Sequence, residues 1–259
     1  MLDVLGYVLE RRCPSGGYCF YCLDEPNTSD TYYALKTLSM LCVYPDDVAT
    51  RSYLLSLQDE DGHYQSLDTC FFCVKGLELM GASPVHSIGS YLELVGDSLA
   101  DSPYSSLVRA SFLRHLYFYL YLARRFGIDV PEAVIERVDR LTVESLEDLY
   151  WLVSIGRVLG LGLCHSPLSF LRWCEDSSMG FRDRGDGALS YLEHQFMGVK
   201  LCRMLGVEPA YPGAIREYVM ACRRKNGGFA RSGTGIATLE YTYYAVYILK
   251  ALEGKDGGS

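Results

Sequence analysis

No run of apolar residues in this 259-residue chain approaches the ~20 that a bilayer-spanning helix requires, so no membrane span is expected. Basic residues are in deficit: 24 Lys and Arg stand against 32 Asp and Glu, leaving a net charge of −8. That is the wrong sign for a grip on nucleic acid, which is made from surplus Lys and Arg. The first ten residues carry Asp3 and Glu10 and lack the basic stretch that opens a secretory signal. A soluble, cytoplasmic protein is the expectation. Linkers are missing too: no stretch rich in Pro, Gly or Ser divides the chain. One domain over residues 1–253 follows, with a small polar tail at 254–259 expected to fray. Tryptophan is scarce, with only Trp151 and Trp173, which weighs against a glycan-cleaving site, where Trp-rich clefts and paired carboxylates are usual.

What is present is a repeat. Asn226-Gly227-Gly228-Phe229 leads through a polar loop into Thr238-Leu239-Glu240-Tyr241-Thr242-Tyr243-Tyr244-Ala245-Val246-Tyr247-Ile248-Leu249, a helix apolar on nearly every side. Such a helix must be buried all round. The same grammar runs from Gly16-Gly17-Tyr18 to Asp30-Thr31-Tyr32-Tyr33-Ala34-Leu35, and again from Gly62-His63-Tyr64 to Asp68-Thr69-Cys70-Phe71-Phe72-Cys73. Counting back from the residues that close each helix (Val43, Gly81, Gly127, Gly160, Gly206 and Gly254) gives six helix starts at Asp30, Asp68, Arg114, Glu147, Glu193 and Tyr241. They lie 33 to 48 residues apart, room for two helices and two loops. Repeats at this scale imply an array.

The helix preceding each turn is amphipathic: Ile215, Tyr218, Val219 and Cys222 fall on one stripe, as do Val134, Val138 and Leu141. One-striped helices packed on all-round apolar ones make an outer ring on an inner ring. The predicted fold is all-α, a closed α/α toroid of six helical hairpins, because closure spares the terminal repeats the exposed ends of an open solenoid.

The ten cysteines are mostly scattered along helices, where a buried thiol acts as a small hydrophobe. Cys19-x-x-Cys22 and Cys70-x-x-Cys73 have ligand spacing, and four thiolates from neighbouring repeats would suit zinc. Against that, Cys70 and Cys73 replace apolar residues of the repeat, so core filling explains them equally.

Inner helices supply Tyr32, Tyr33, Phe71, Phe72, Tyr117, Phe118, Tyr119, Tyr150, Trp151, Phe196, Tyr243 and Tyr244 as candidates for the wall of a central cavity. An aromatic wall suits a polyisoprenoid and adds ~0.5–2 kcal/mol per well-placed ring to a carbocation; the alternative is that these rings simply fill the ring centre. Asp30, Asp68, His115, Glu147, Asp148, Glu193, His194 and Glu240 fall at inner-helix N-termini. Carboxylates there complement helix dipoles, yet crowding at one mouth can also hold a divalent cation or keep one acid protonated. Glu193, His194, Glu147 and Asp148 are therefore the candidate catalytic groups, and Glu193, His194, Asp30 and Asp68 the weak metal candidates.

Carried by Gly-Gly-Tyr, Asp-Thr-Tyr-Tyr-Ala-Leu, Gly-Gly-Phe and Thr-Tyr-Tyr-Ala-Val, the chain resembles the β subunits of protein prenyltransferases and the related squalene and terpene cyclase repeats over essentially its whole length. In the prenyltransferases that resemblance implies a zinc held by Asp-x-Cys at the fifth inner helix and by a His at the sixth. The matching positions here read Tyr191-x-Glu193 and Tyr241, so the thiolate that would activate a protein cysteine is missing. Arg182 and Arg184 lie nearest the basic residues that would hold an isoprenoid diphosphate, but out of register, and Glu144 stands where a diphosphate-binding His would be. The Asp-x-Asp-Asp acid of the cyclases is absent; Glu144, Glu147 and Asp148 are the nearest acidic cluster. Two expectations result: a toroid that binds a hydrophobic, isoprenoid-type small molecule without typical zinc chemistry, or a non-catalytic toroid that binds a peptide or protein partner, as those β subunits pair with a helical-hairpin subunit. The first predicts a continuous cavity beside Glu193; the second predicts an exposed apolar patch.

Overall fold

A computed structural model describes residues 2–21, 23–44, 47–101, 109–139, 141–162, 167–187 and 189–254. Among the described residues, twelve helices alternate in role. The outer set is α1 (Leu2–Leu9), α3 (Val48–Leu55), α5 (Gly89–Asp101), α7 (Glu132–Asp139), α9 (Pro167–Trp173) and α11 (Pro212–Ala221). The inner set is α2 (Thr28–Met40), α4 (Leu67–Leu79), α6 (Arg109–Phe126), α8 (Leu146–Leu159), α10 (Leu192–Leu205) and α12 (Leu239–Glu253). Each inner helix packs on the next, and α12 packs on α2, which closes the ring. Two short antiparallel ribbons, β1 (Glu175–Asp176) with β2 (Gly180–Phe181) and β3 (Phe229–Ala230) with β4 (Ala237–Thr238), stiffen the turns of hairpins five and six.

The Gly-Gly turns explain why the ring closes. At Gly16, φ is +100° and an added Cβ would stand 2.3 Å from the Ala49 carbonyl oxygen of α3. At Gly227, φ is +88° and the Cβ would stand 2.2 Å from the Asp3 carbonyl oxygen of α1. Only glycine tolerates both demands. The device that docks repeat one on repeat two thus docks repeat six on repeat one. Arg223 Nη2 donates to Asp3 Oδ2 at 2.8 Å across the same seam, and Lys250 Nζ donates to the Met40 carbonyl.

Four of the inner helices begin on side-chain caps. Asn27, Ser66, Ser145 and Thr238 each accept from the backbone N–H three residues on, a contact of ~0.5–2 kcal/mol. Asn27 caps α2. The third inner helix starts at Arg109, five residues before the expected Arg114. More consequentially, two of the counted starts are one residue off. The residue in left-handed conformation that closes α2 is Cys42 (φ 60°), matching Gly81, Gly127, Gly160 and Gly206, while Gly254 is not left-handed at all. Aligned on their N-caps, Asn27, Ser66, Tyr191 and Thr238, the positions equivalent to Asp68 and Glu193 are Ser29 and Glu240, and Asp30 and Tyr241 fall one place further round the helix.

The segment expected as a tail lies outside the described residues beyond Gly254, as does Cys22 of the first Cys-x-x-Cys pair. Cys70 and Cys73 are fully buried, and Cys73 Sγ donates to the Leu54 carbonyl at 3.0 Å. Burial pushes the Cys73 thiol up to about 11 and the Cys70 thiol higher still, so both are protonated core groups.

Candidate functional site

Parallel inner helices in one register turn the same heptad positions toward the ring centre. The first layer is Ser29, Asp68, Glu147, Glu193 and Glu240, each the second residue of its helix, with Arg114 one and a half turns into α6. Three and four residues on come Tyr32 and Tyr33, Phe71 and Phe72, Tyr117 and Phe118, Tyr150 and Trp151, Phe196 and Met197, Tyr243 and Tyr244. They surround a cavity of about 540 Å³ that all six inner helices wall, within the ~300–1,000 Å³ range of ligand pockets. Of the twelve aromatic residues singled out as wall candidates, all but Tyr119 line it. Tyr119 instead turns outward, with Gly96 of α5 leaving room for its hydroxyl.

The rings are packed into pairs. Phe71 stacks on Phe118 with centroids 3.7 Å apart and planes 5° from parallel, and Phe196 on Tyr244 at 4.1 Å and 19°. Such pairs add ~0.5–1.5 kcal/mol each beyond area burial. Trp151 meets Tyr117 at 5.4 Å and Tyr150 at 4.8 Å.

At the mouth each carboxylate has an internal partner. Asp68 is held by His115 Nε2 at 2.6 Å and Arg114 Nη2 at 3.3 Å, and the His115 hydrogen bond keeps its pKa below the ordinary value. Glu147 accepts from Trp151 Nε1 at 3.2 Å; burial nevertheless pushes its pKa up. Glu240 Oε1 accepts from Tyr244 Oη at 2.7 Å and Tyr33 Oη at 3.0 Å, and burial raises this carboxyl also. Glu193 Oε1 is bound by Arg231 Nε at 2.6 Å and Nη2 at 2.5 Å, whereas its Oε2 is buried with no partner among the described residues.

The expected Glu193 and His194 pair does not act as one. His194 occupies the third helical position, where its Nδ1 accepts from the Tyr191 N–H at 3.2 Å as a helix cap, and its Nε2 lies 4.0 Å from Asp183 Oδ1. Burial lowers its pKa. Asp148 and Asp30 share that position and likewise turn away from the cavity. Asp148 accepts from the Glu144 N–H at 3.0 Å and pairs with Arg109 Nε at 3.1 Å. Asp30 accepts from the Phe20 N–H at 3.1 Å and from Asn27 Nδ2 at 2.8 Å. Of the four metal candidates only Glu193 and Asp68 reach the cavity, from different helices. Among the described residues no three His, Cys, Asp or Glu gather as a metal set. Arg231, a cation, holds Glu193 Oε1. Arg182 and Arg184 stay in the β2–α10 turn, on Asp176 at 2.5 Å and Asp186 at 3.2 Å, and do not line the cavity.

Two sets of residues escape sequence reasoning. Arg231 sits in the loop between β3 and β4, where no periodicity marks it. Lys36, Lys75 and Lys200 also line the cavity; seven residues after Ser29, Asp68 and Glu193, they are legible once the register is right.

The family described as "Prenyltransferase alpha-alpha toroid domain" matches residues 2–70 and 194–257, just over half of the chain. No curated protein matches. Among solved structures, a Candida albicans protein geranylgeranyltransferase-I complexed with GGPP superposes with a TM-score of 0.67 at 12% identity, covering 99% of this chain and 92% of that one. Among the described residues no helix is long and apolar enough to cross a membrane.

Proposed function

The chain belongs to the prenyltransferase α/α-toroid family, and on that premise we propose that its ring centre holds a hydrophobic, isoprenoid-type chain without the thiolate-zinc chemistry of a protein prenyltransferase. The observation that carries this reading is the cavity of about 540 Å³, walled by aromatic rings from all six inner helices. A flexible apolar chain entering it exchanges water for rings, at ~25 cal/mol per Å² of apolar surface buried. The GGPP in the Candida albicans structure supports the ligand class by analogy of fold. The zinc positions argue against protein prenyl transfer, since Tyr191, Glu193 and Tyr241 offer no thiolate.

The scarcity of tryptophan supplies the test. Trp151 lines the cavity at 8% exposure, while Trp173 is 44% exposed on the outer ring. In a Trp173→Phe variant all indole emission comes from Trp151. Titration with farnesol is expected to change that emission saturably, at one ligand per chain. Emission unaltered up to the solubility limit of farnesol would remove the reading.

One observation favours the other class, a non-catalytic toroid with a peptide or protein partner. Leu189 and Ile236, each two residues before an inner-helix cap, expose 63% and 78% of their surface beside the mouth, and the mouth carboxylates are already engaged. In that case farnesol leaves Trp151 unchanged, and Leu189→Asp or Ile236→Asp abolishes partner binding.

A further inference from the structure

Two lysines at the same level of the ring have opposite surroundings. Lys75 of α4 donates to Glu78 Oε2 at 2.8 Å and to Tyr121 Oη at 2.8 Å. Burial works against its charge, but these partners outweigh burial and raise its pKa above the ordinary lysine value. Lys200 of α10 is half-buried and has no hydrogen bond or ion pair among the described residues. Its Nζ lies 5.3 and 5.4 Å from the ring centroids of Phe196 and Tyr247. The charges that act on it are cations: Lys36 of α2, Lys75 of α4 and Arg203 of its own helix. Glu78 is taken up by Lys75, Tyr121 and Arg125. The phenols beside it, Tyr117 of α6, Tyr150 of α8 and Tyr247 of α12, are kept neutral by burial. Burial, and then the like charges of Lys36, Lys75 and Arg203, press the Lys200 pKa down to about 8.

Lys200 also stands where a small molecule can reach it. A second hollow of about 560 Å³ opens at the C-terminal ends of α6, α8 and α10, and Arg124, Arg125 and Arg157 add further cations to its wall. Tyr117, Tyr150 and Lys200 line both this hollow and the ring-centre cavity, so the amine sits at their junction. An amine desolvated in an apolar pocket, with another cation nearby and no carboxylate to fix its proton, is the kind that attacks carbonyl carbon, because only its neutral form carries a free lone pair.

We infer that Lys200 is a nucleophile that condenses with an apolar aldehyde at the junction of the two hollows. Its nitrogen lone pair adds to the carbonyl carbon, and the carbinolamine then loses its hydroxyl, together with a proton from the nitrogen, as water. A C=N bond replaces C=O, and no oxidant or reductant is consumed. The neutral imine removes a charge from beside Lys36, Lys75 and Arg203, which favours the product. Phe196 and Tyr247 flank the amine and suit an apolar carbonyl compound over a hydrated, polar one. An isoprenoid held without a covalent bond needs no such amine, so this inference goes beyond the function proposed above and does not rest on it.

Hexanal with sodium cyanoborohydride, which reduces the imine to a stable secondary amine, tests this on the full chain, with the exposed Lys225 as internal reference. Peptide mapping at about pH 7 is expected to find Lys200 labelled at least about tenfold faster than Lys225, and saturably in hexanal where Lys225 is not. The ratio of the two rates should fall as the pH rises through about 8, where the Lys200 amine is already neutral and Lys225 still gains. Lys36→Gln removes a like charge and should lower the ratio at pH 7 by about threefold. Lys200→Arg keeps the charge and should abolish the label at that position, with thermal melts showing that both variants fold. Labelling of Lys200 no faster than Lys225, without saturation, or with a ratio that stays flat through pH 8 overturns the inference. A farnesol response at Trp151 would then leave the proposed function standing. Saturable labelling of Lys200 with no farnesol response keeps the nucleophile and removes the isoprenoid reading.

Discussion

At the N-terminal ends of the inner helices the carboxylates facing the cavity are tied to partners supplied by the fold: Asp68 to His115, Glu147 to Trp151, Glu193 to Arg231, Glu240 to Tyr33 and Tyr244. At the C-terminal ends Lys36, Lys200 and Arg157 are tied to none among the described residues. Helix dipoles account for the sign of the charge at both ends. They do not account for the pairing. A paired charge is part of the folded structure, whereas Lys36 and Lys200, half-buried and near other cations, have no opposite charge beside them among the described residues.

The waist between the two ends is the place to break this comparison hardest. Phe196, 4% exposed and stacked on Tyr244, is expected to lose ~3–5 kcal/mol of stability on substitution by Ala; urea unfolding measures it, and the cavity opened should loosen farnesol binding as well. Next in size is the contrast between two arginines. Arg231→Ala strips Glu193 of its partner and should lower stability by about 1–2 kcal/mol, while Arg157→Ala at the other end should stay within about 0.5 kcal/mol. Equal losses would erase the distinction between the ends.

Adjacent residues on α10 sharpen it further. His194→Ala removes a helix cap and should cost about 1 kcal/mol without altering farnesol affinity, because the imidazole faces the Tyr191 N–H. The smallest effect belongs to Glu240→Gln. Burial holds the folded Glu240 carboxyl above its ordinary value of 4.5, so the folded state keeps a proton that the unfolded state has lost. Stability from this group is complete below pH 4.5 and declines as the pH rises through the folded value. Glutamine can still accept from Tyr33 and Tyr244, so the variant should melt slightly higher at pH 7 and show a flatter pH slope above 4.5.

Much of the fold was legible because the repeat is written in backbone chemistry. Gly16-Gly17-Tyr18 and Gly227-Gly228-Phe229 mark turns where a Cβ cannot fit, and a residue that fits nowhere else is easy to count. Site reading went astray at two helix ends; at the first, the end of α2, Cys42 adopts the left-handed conformation that glycine takes in four of the other inner-helix closures. Cysteine gives no sign of that in sequence. That offset promoted Asp30 over Ser29, and counting from Gly254, which is not left-handed, promoted Tyr241 over Glu240 at the other. It also hid the common level of Lys36, Lys75 and Lys200, which singly look like long side chains reaching for solvent. His194 and Asp148 misled for a different reason: cap and cavity positions are neighbours in sequence but about 100° apart on the helix.

The most direct measurement is photo-crosslinking with a benzophenone-bearing isoprenoid, followed by peptide mapping of the labelled sites. Labels on the inner helices, at residues such as Tyr32, Phe72 and Tyr243, are the predicted result. Labels confined to the outer helices or the loops would contradict a ligand held in the ring centre.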